Sequence, residues 1–296
     1  MKNVTMESQK FTWSDIMKLS DINIRDPFIL TDNGKYYMYG SRGSNQFGFE
    51  VYVSDDLENW SEGKTVFEYY DGFWGVCDFW APEVHKFNGK YYMFATFKPE
   101  EGPRGTGILM CDTPDGTFTD WSKGKVTPED WSALDGTFYV EDGVPYMIFW
   151  HEWIQIHDGA VCGMKLCGDL KKADGEPFVL WHASDAAWVR SVTGEGNFVT
   201  DGPFIIKHGE KLACVWASFI KGGGYCEGIA YSDNGKIGGH WSVSDDLVFK
   251  DDGGHGMLFK ALDGKEYFIF HKPNSPALAE RPVLIPYTAK GIAEKC

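Results

Sequence analysis

The stretch "DPFILTDNGKYYMYG", residues 26–40, decides the fold, because the chain spells it again four more times. It reads as a strand, a tight Gly turn and a second, aromatic-rich strand. The other copies are "APEVHKFNGKYYMFA" from Ala81, "DGTFYVEDGVPYMIF" from Asp135, "DGPFIIKHGEKLACV" from Asp201 and "GMLFKALDGKEYFIF" from Gly256. Their turn glycines, Gly34, Gly89, Gly143, Gly209 and Gly264, are spaced 55, 54, 66 and 55 residues apart. "NG" and "DG" between apolar runs are hairpin signals, because such turns need positive φ. A weaker hairpin follows each anchor, and three of these end in Trp60, Trp121 and Trp241. A divergent copy runs through "VCGMKLCGDLKKADGEPFVLW". Four strands per repeat, five times, predict an all-β fold: a five-bladed β-propeller with four antiparallel strands per blade. A β-sandwich leaves the five registered copies unexplained.

One domain is expected over residues 1–296, with about 1–20 outside the repeat. That extension is expected to supply a ring-closing strand against the last blade, or a short helix. Aromatic residues make up 16% of the chain and there are 35 glycines, which suits pleated surfaces joined by turns. The net charge of −15 repels phosphate backbones, so nucleic acid is excluded as a natural partner. No apolar run reaches the ~18 residues of a membrane span, and the N-terminus lacks a signal-peptide core. A cytoplasmic location is the expectation, although a trimmed secreted chain reads the same way. Seven cysteines, an odd number without metal-type spacing, read as free packing thiols. Phosphate loops, dinucleotide glycine patterns, "HExxH" and "GxSxG" do not occur.

Counting back eight residues from each turn glycine gives Asp26, Ala81, Asp135, Asp201 and Gly256. The first strand of a propeller blade lines the central channel, so three aspartates are expected to converge at one end of it. Asp before Gly or Pro is also an ordinary turn residue, but each of these opens an apolar strand. Gathered carboxylates repel and raise one another's pKa, which costs stability but separates an acid from a base. Such a set suits glycoside hydrolysis, with acid and base ~6.5–9.5 Å apart for inversion. Trp74, Trp80, Trp150, Trp153 and Trp188 are expected at loops or strand ends, as platforms for a sugar. "DFWAPEVHKF" places Trp80 and Glu83 beside the register position of blade two, and "GGHGMLF" puts His255 beside that of blade five.

The motifs "RDPF", "FWAPEV", "DGTFYV", "DGPF" and "GGHG", in this order, resemble glycoside hydrolase family 43 from about residue 22 to 287. The resemblance implies an inverting enzyme that releases terminal α-L-arabinofuranosyl or β-D-xylosyl units from plant-type oligosaccharides. Some relatives act on galactans or galactofuranosides. It assigns Asp26 as general base, Asp135 as the carboxylate that orients the acid and tunes its pKa, and Asp201 as general acid. The family usually has Glu at this last place, so Asp201 is one methylene short. Glu195 and Glu152 are alternative acids, and a non-catalytic sugar-binding propeller is the alternative function. The resemblance requires no cofactor but suggests water or a Ca²⁺ ion at the axis near His255. It also suggests that Arg281 reaches the sugar.

Overall fold

A computed structural model describes residues 16–42, 46–208, 210–288 and 291–292. Five antiparallel sheets follow one another along the chain as the blades of a β-propeller. Their innermost strands are Arg25–Asp32, Cys77–Phe87, Ala133–Glu141, Asp201–His208 and Gly254–Lys260. Each pairs with the strand after it across the predicted hairpin, as in Asp32 with Lys35 and Glu141 with Val144. Gly209 and Cys296 lie outside the described residues. Four sheets have four strands. The first has six, because Lys64–Glu68 and Asn59–Trp60 both pair with Gly48–Ser54, and Met17–Lys18 adds to Asn59–Trp60.

That last pairing corrects the reading of the N-terminal extension. Met17–Lys18 sits on the edge of blade one, not on the last blade. Side chains join these two blades instead. Asn23 donates to the carbonyls of Leu278 and Glu280, both at 2.8 Å, and Arg281 donates to the carbonyl of Ser20 at 3.0 Å. Most of residues 1–20 lie outside the described part of the chain.

Adjacent blades bury the aromatic faces of their strands against each other. Phe49, Phe67, Phe79 and Phe97 form one such contact, with Phe79 edge-on to Phe97 at 5.1 Å. Trp181, Trp188, Trp216 and Trp241 form another, with Trp188 and Trp216 at 5.1 Å. Trp188 is therefore core and not a rim platform: it is 8% exposed, and its indole N–H donates to the carbonyl of Ser244. Each such ring contributes roughly 1.5–3 kcal/mol by leaving water. The six described cysteines are free, and burial pushes the Cys162 thiol up to about 12.

Candidate active site

Each innermost strand carries a β-bulge near its start. The pairing skips between Arg25 and Phe28, Trp80 and Glu83, Leu134 and Thr137, Asp201 and Phe204, and Gly254 and Met257. The first bulged residue has positive φ in every blade: Asp26 (50°), Ala81 (44°), Asp135 (51°), Gly202 (46°) and His255 (53°). A bulge of this kind re-aims a side chain away from the sheet, here toward the axis. The register inferred from the turn glycines is thus shifted by one in the last two blades. The innermost strand of blade four ends at His208, so the position equivalent to Asp26 is Gly202, and Asp201 precedes it. In blade five the equivalent position holds His255 and not Gly256.

Gly202 has a steric reason to be glycine. A Cβ there would sit 2.5 Å from ring atoms of His255. The imidazole of blade five lies against the bare backbone of blade four, and the carboxylate moves one residue upstream. The structure still brings Asp26, Asp135, Asp201 and His255 together. His255 Nδ1 is 3.1 Å from Asp26 Oδ1 and 3.6 Å from Asp201 Oδ1. One oxygen each from Asp135 and Asp201 and a ring nitrogen of His255 lie within 4.8 Å of one another.

Side chains of the preceding blade hold the bulges. Ser41 accepts from the backbone N–H of Ala81 at 2.6 Å and donates to Asp26 Oδ2 at 2.6 Å. Thr96 accepts from the N–H of Asp135 at 2.9 Å and donates to its Oδ1 at 3.0 Å. His271 Nδ1 accepts from the N–H of Asp26 at 3.3 Å. Ser41, Thr96 and His271 occupy one register position, opposite the residue before the bulge. Blade four has Ala217 there, which has no polar group to offer. Glu227, from the next strand, accepts from the N–H of Gly256 at 3.3 Å instead.

The neighbours drive two similar aspartates to opposite charge states. Burial raises the pKa of Asp26, but His255, Arg25, His271 and a hydrogen bond from Ser41 outweigh it and bring it down to about 2. Burial, the negative Asp135 and a hydrogen bond with Asp135 push Asp201 well above the usual carboxylate range, against the pull of His255. Burial lowers the pKa of His255, yet Asp26, Asp135, Asp201 and Glu227 raise it to about 9. Burial holds His271 down at about 3. The surroundings thus favour the ionised form of Asp26, the neutral form of Asp201 and the charged form of the imidazole that touches both. Tyr225 donates to Asp201 Oδ2 at 2.5 Å and stacks on His271 at 5.6 Å.

These groups face a cavity of about 790 Å³, whose lining also includes Arg25, Trp80, Arg104, Trp150, Glu152 and Glu280. Trp150 donates from its indole N–H to Asp135 Oδ2 at 2.9 Å, and Arg104 lies over the Trp80 ring at 4.8 Å. Other expected residues lie elsewhere. Glu83 bonds His85 at 2.9 Å and does not line the cavity. Trp74 packs edge-on against Phe97 at 5.3 Å. Arg281 turns to the carbonyls of Ser20 and Glu280, and Arg25 takes its expected place in the cavity wall. Glu152 is held by Arg104 at 2.8 and 3.0 Å and by Ser132, while Glu195 is exposed on a loop. Neither stands where Asp201 does. Arg25 and Tyr225 were legible only as letters in "RDPF" and "GGGYCEG".

One oxygen each of Asp135 and Asp201 and a ring nitrogen of His255 are the donors that would hold a Ca²⁺ ion at the axis. Calcium takes six to eight ligands, mostly oxygen, so water would complete the shell.

The whole set, from the bulge of blade one to that of blade five, lies within one match: residues 20–287 match the family described as glycosyl hydrolases family 43. The chain belongs to that family. The chain is similar to the crystal structure described as an endo-arabinase from Bacteroides thetaiotaomicron VPI-5482. The two share 40% identity over 93% of this chain and 97% of that one, with a TM-score of 0.86. Among curated proteins it is similar to an extracellular exo-α-(1→5)-L-arabinofuranosidase of Streptomyces chartreusis, 27% identical over 65% of this chain and 62% of the relative. It is also similar to xylosidase/arabinosidase 43A of Humicola insolens, 28% identical over 46% of each chain. The matches thus span about half to three-fifths of the curated relatives' length. The Streptomyces name says extracellular, which does not fit the expected cytoplasmic location. Among the described residues, no helix is long and apolar enough to cross a membrane.

Proposed function

We propose that this family 43 member is an inverting hydrolase of L-arabinofuranosyl linkages in arabinan-type chains, with β-D-xylosyl units as the alternative substrate. One observation carries the reading: Asp26 and Asp201 both reach one nitrogen of His255 in a sugar-sized cavity, where Asp26 is pushed below and Asp201 above the ordinary carboxylate range. The arabinan preference rests on similarity to the Bacteroides protein, described as an endo-arabinase. Release of single terminal units and cleavage within a chain are told apart by their products.

Asp201 gives its proton to the glycosidic oxygen as the bond to the anomeric carbon breaks. Asp26 takes a proton from the water that attacks that carbon on the opposite face. Both carboxylates reach the same nitrogen of His255, at 3.1 and 3.6 Å. Their facing oxygens are therefore no farther apart than these two distances laid end to end, a bound that reaches only the lower edge of the ~6.5–9.5 Å used for inversion and also admits the ~5–5.5 Å of retention, so the anomer of the product decides the stereochemistry. A carboxylate with a pKa of about 2 is a weak base, so Asp26 contributes by position, fixed by Ser41 and His255. Asp135 has both oxygens occupied by Thr96 and Trp150. It cannot swing away, and its charge keeps the proton on Asp201. Tyr225 anchors the far oxygen of this short acid.

The test is hydrolysis of linear arabinan, arabino-oligosaccharides and xylo-oligosaccharides, with proton NMR of the first sugar formed. Arabinose or arabino-oligosaccharides appearing as the inverted anomer is the expected result. Retention of configuration overturns the mechanism. Saturable binding without turnover overturns the enzyme reading in favour of a sugar-binding propeller.

A further inference from the structure

The cavity lining includes Gln46, and the next residue begins an aromatic strip that the chemistry above leaves unused. Phe47 is 50% exposed, Tyr70 45% and Tyr69 37%, high values in a chain whose other rings mostly fill the blade contacts. The Phe47 ring stands edge-on to the buried Phe79 at 6.0 Å, and Phe79 directly precedes the cavity residue Trp80. Tyr69 lies 6.4 Å from Phe47, and its backbone N–H donates to the Phe47 carbonyl at 2.7 Å. Tyr70 rests on Phe67 and Phe73 at 6.4 and 5.7 Å. Phe47 and Tyr70 thus rest against buried rings, Tyr69 lies beside Phe47, and all three remain exposed to water.

Topology puts the strip on the catalytic face. Strand Lys35–Ser41 ends at Ser41, which touches Asp26, and the chain re-enters the sheet at Gly48. Strand Lys64–Glu68 ends just before Tyr69, and the chain goes on to the innermost strand of blade two, which carries Trp80. Both connections therefore lie at the end of the blades where the cavity opens. The charged residues flanking the tyrosines in sequence are the exposed acids Glu68 and Asp71, which disfavour an anionic ligand. A half-exposed apolar strip continuous with a ligand cavity marks a binding surface.

We infer that Phe47, Tyr69 and Tyr70 form a distal sugar-binding shelf that carries a neutral pentose-based chain beyond the cleaved bond. The inference rests on the glycosidase reading above. Sugar rings lay their C–H faces on the aromatic faces, and the shelf makes a long chain a better substrate than a single glycoside.

The test uses the Phe47→Ala/Tyr70→Ala double variant of the full chain, with its melting temperature measured as a check on folding. The KM for linear arabinan is expected to rise about tenfold, while kcat/KM for an aryl arabinofuranoside stays within about twofold. Gel electrophoresis through immobilised linear arabinan, arabinoxylan or xylan reads binding to pentose-based chains apart from the kinetic constants. Retardation of the wild type by at least one of these, lost in the double variant and restored by Phe47→Tyr/Tyr70→Phe, supports the shelf. If the double variant does not fold, Tyr70→Ser is read in the same assays. An unchanged KM and unchanged retardation overturn the shelf, as does a wild type retarded by none of the three polymers. A wild type that hydrolyses none of them, but shows ring-dependent retardation by one, overturns the hydrolase reading and leaves the shelf standing.

Discussion

The innermost strands of blades one and four begin with nearly the same words, "RDPFIL" and "TDGPFI", yet their aspartates are pushed in opposite directions. Asp26 sits on the bulge, among Arg25, His255, His271 and the Ser41 hydroxyl, and its pKa is brought down to about 2. Asp201 sits one residue before its bulge, beside Asp135 and Tyr225, and is pushed well above the usual carboxylate range. Both are withdrawn from water, and that withdrawal favours the neutral acid in both. The sign of the surrounding charge decides the difference. Blade one faces cations, and blade four faces another carboxylate.

Removing either member breaks the comparison, and this is the largest effect expected. Asp26→Asn should lower kcat/KM on every substrate by about 10²–10⁴-fold. Asp201→Asn should do the same on arabinan but little on an aryl arabinofuranoside with a good leaving group, which needs no proton. Equal losses on both substrates would refute the acid assignment of Asp201.

Taking away the cation between them comes next. Asp26 is held down at about 2 in large part by His255. In His255→Gln the base should titrate nearer its ordinary value. The acid limb of the kcat/KM–pH profile then moves to higher pH. An acid limb that does not move shows that His255 is not the controlling cation. Gly202→Ala attacks the same contact from the other side, since its Cβ would meet the imidazole at 2.5 Å and its backbone has φ 46°. It should be destabilised by about 1–3 kcal/mol in denaturant titration, with a fall in activity.

Two smaller effects concern support around the acid. Tyr225→Phe removes one hydrogen bond to Asp201. It should cost up to about tenfold in kcat on arabinan, the upper end of the ~0.5–1.5 kcal/mol of an ordinary hydrogen bond, and spare the aryl substrate. Glu227 is buried, its pKa raised well above the ordinary value chiefly by that burial. A carboxyl whose folded pKa exceeds its unfolded one gives stability that is full below the unfolded pKa and lost as pH rises through the folded one. Glu227→Gln should therefore leave activity near wild type and flatten the loss of melting temperature on the alkaline side. Glu227→Ala should lose about 1–3 kcal/mol, because the N–H of Gly256 is left without its acceptor.

The site was legible in part for reasons the bulges make clear. Asp26 and Asp135 stand where the repeat count put them, because in their blades the hairpin turn keeps the same length from the bulge. The count slips by one at Asp201 because Gly209 directly follows the last paired residue, His208, whereas Gly34 and Gly143 stand second after theirs, and it slips at His255 because the loop is longer. In blade five, Lys260 pairs with Glu266 across a longer loop. Trp80 was visible beside the register position and Trp150 as a tryptophan at a strand end, and both line the cavity. Glu83 was named from the register, Trp74 as a rim tryptophan and Arg281 from the family resemblance, but they are taken up by His85, Phe97 and the carbonyl of Ser20. Nothing in a strand's own letters tells which partner from another blade will claim a side chain.

The sequence by itself determined the number of blades, the hairpin that builds each one and the presence of an aspartate at the start of three innermost strands. These follow from turn chemistry and period-two patterning, which act over a few residues. Tertiary structure alone decided which aspartate is ionised, why blade four needs Gly202 and which side chains lock the bulges. Those outcomes depend on pairs such as Asp26 with His271, 245 positions apart in the chain. Charge and steric exclusion act through space, and only the closed ring brings such residues within 4 Å of each other.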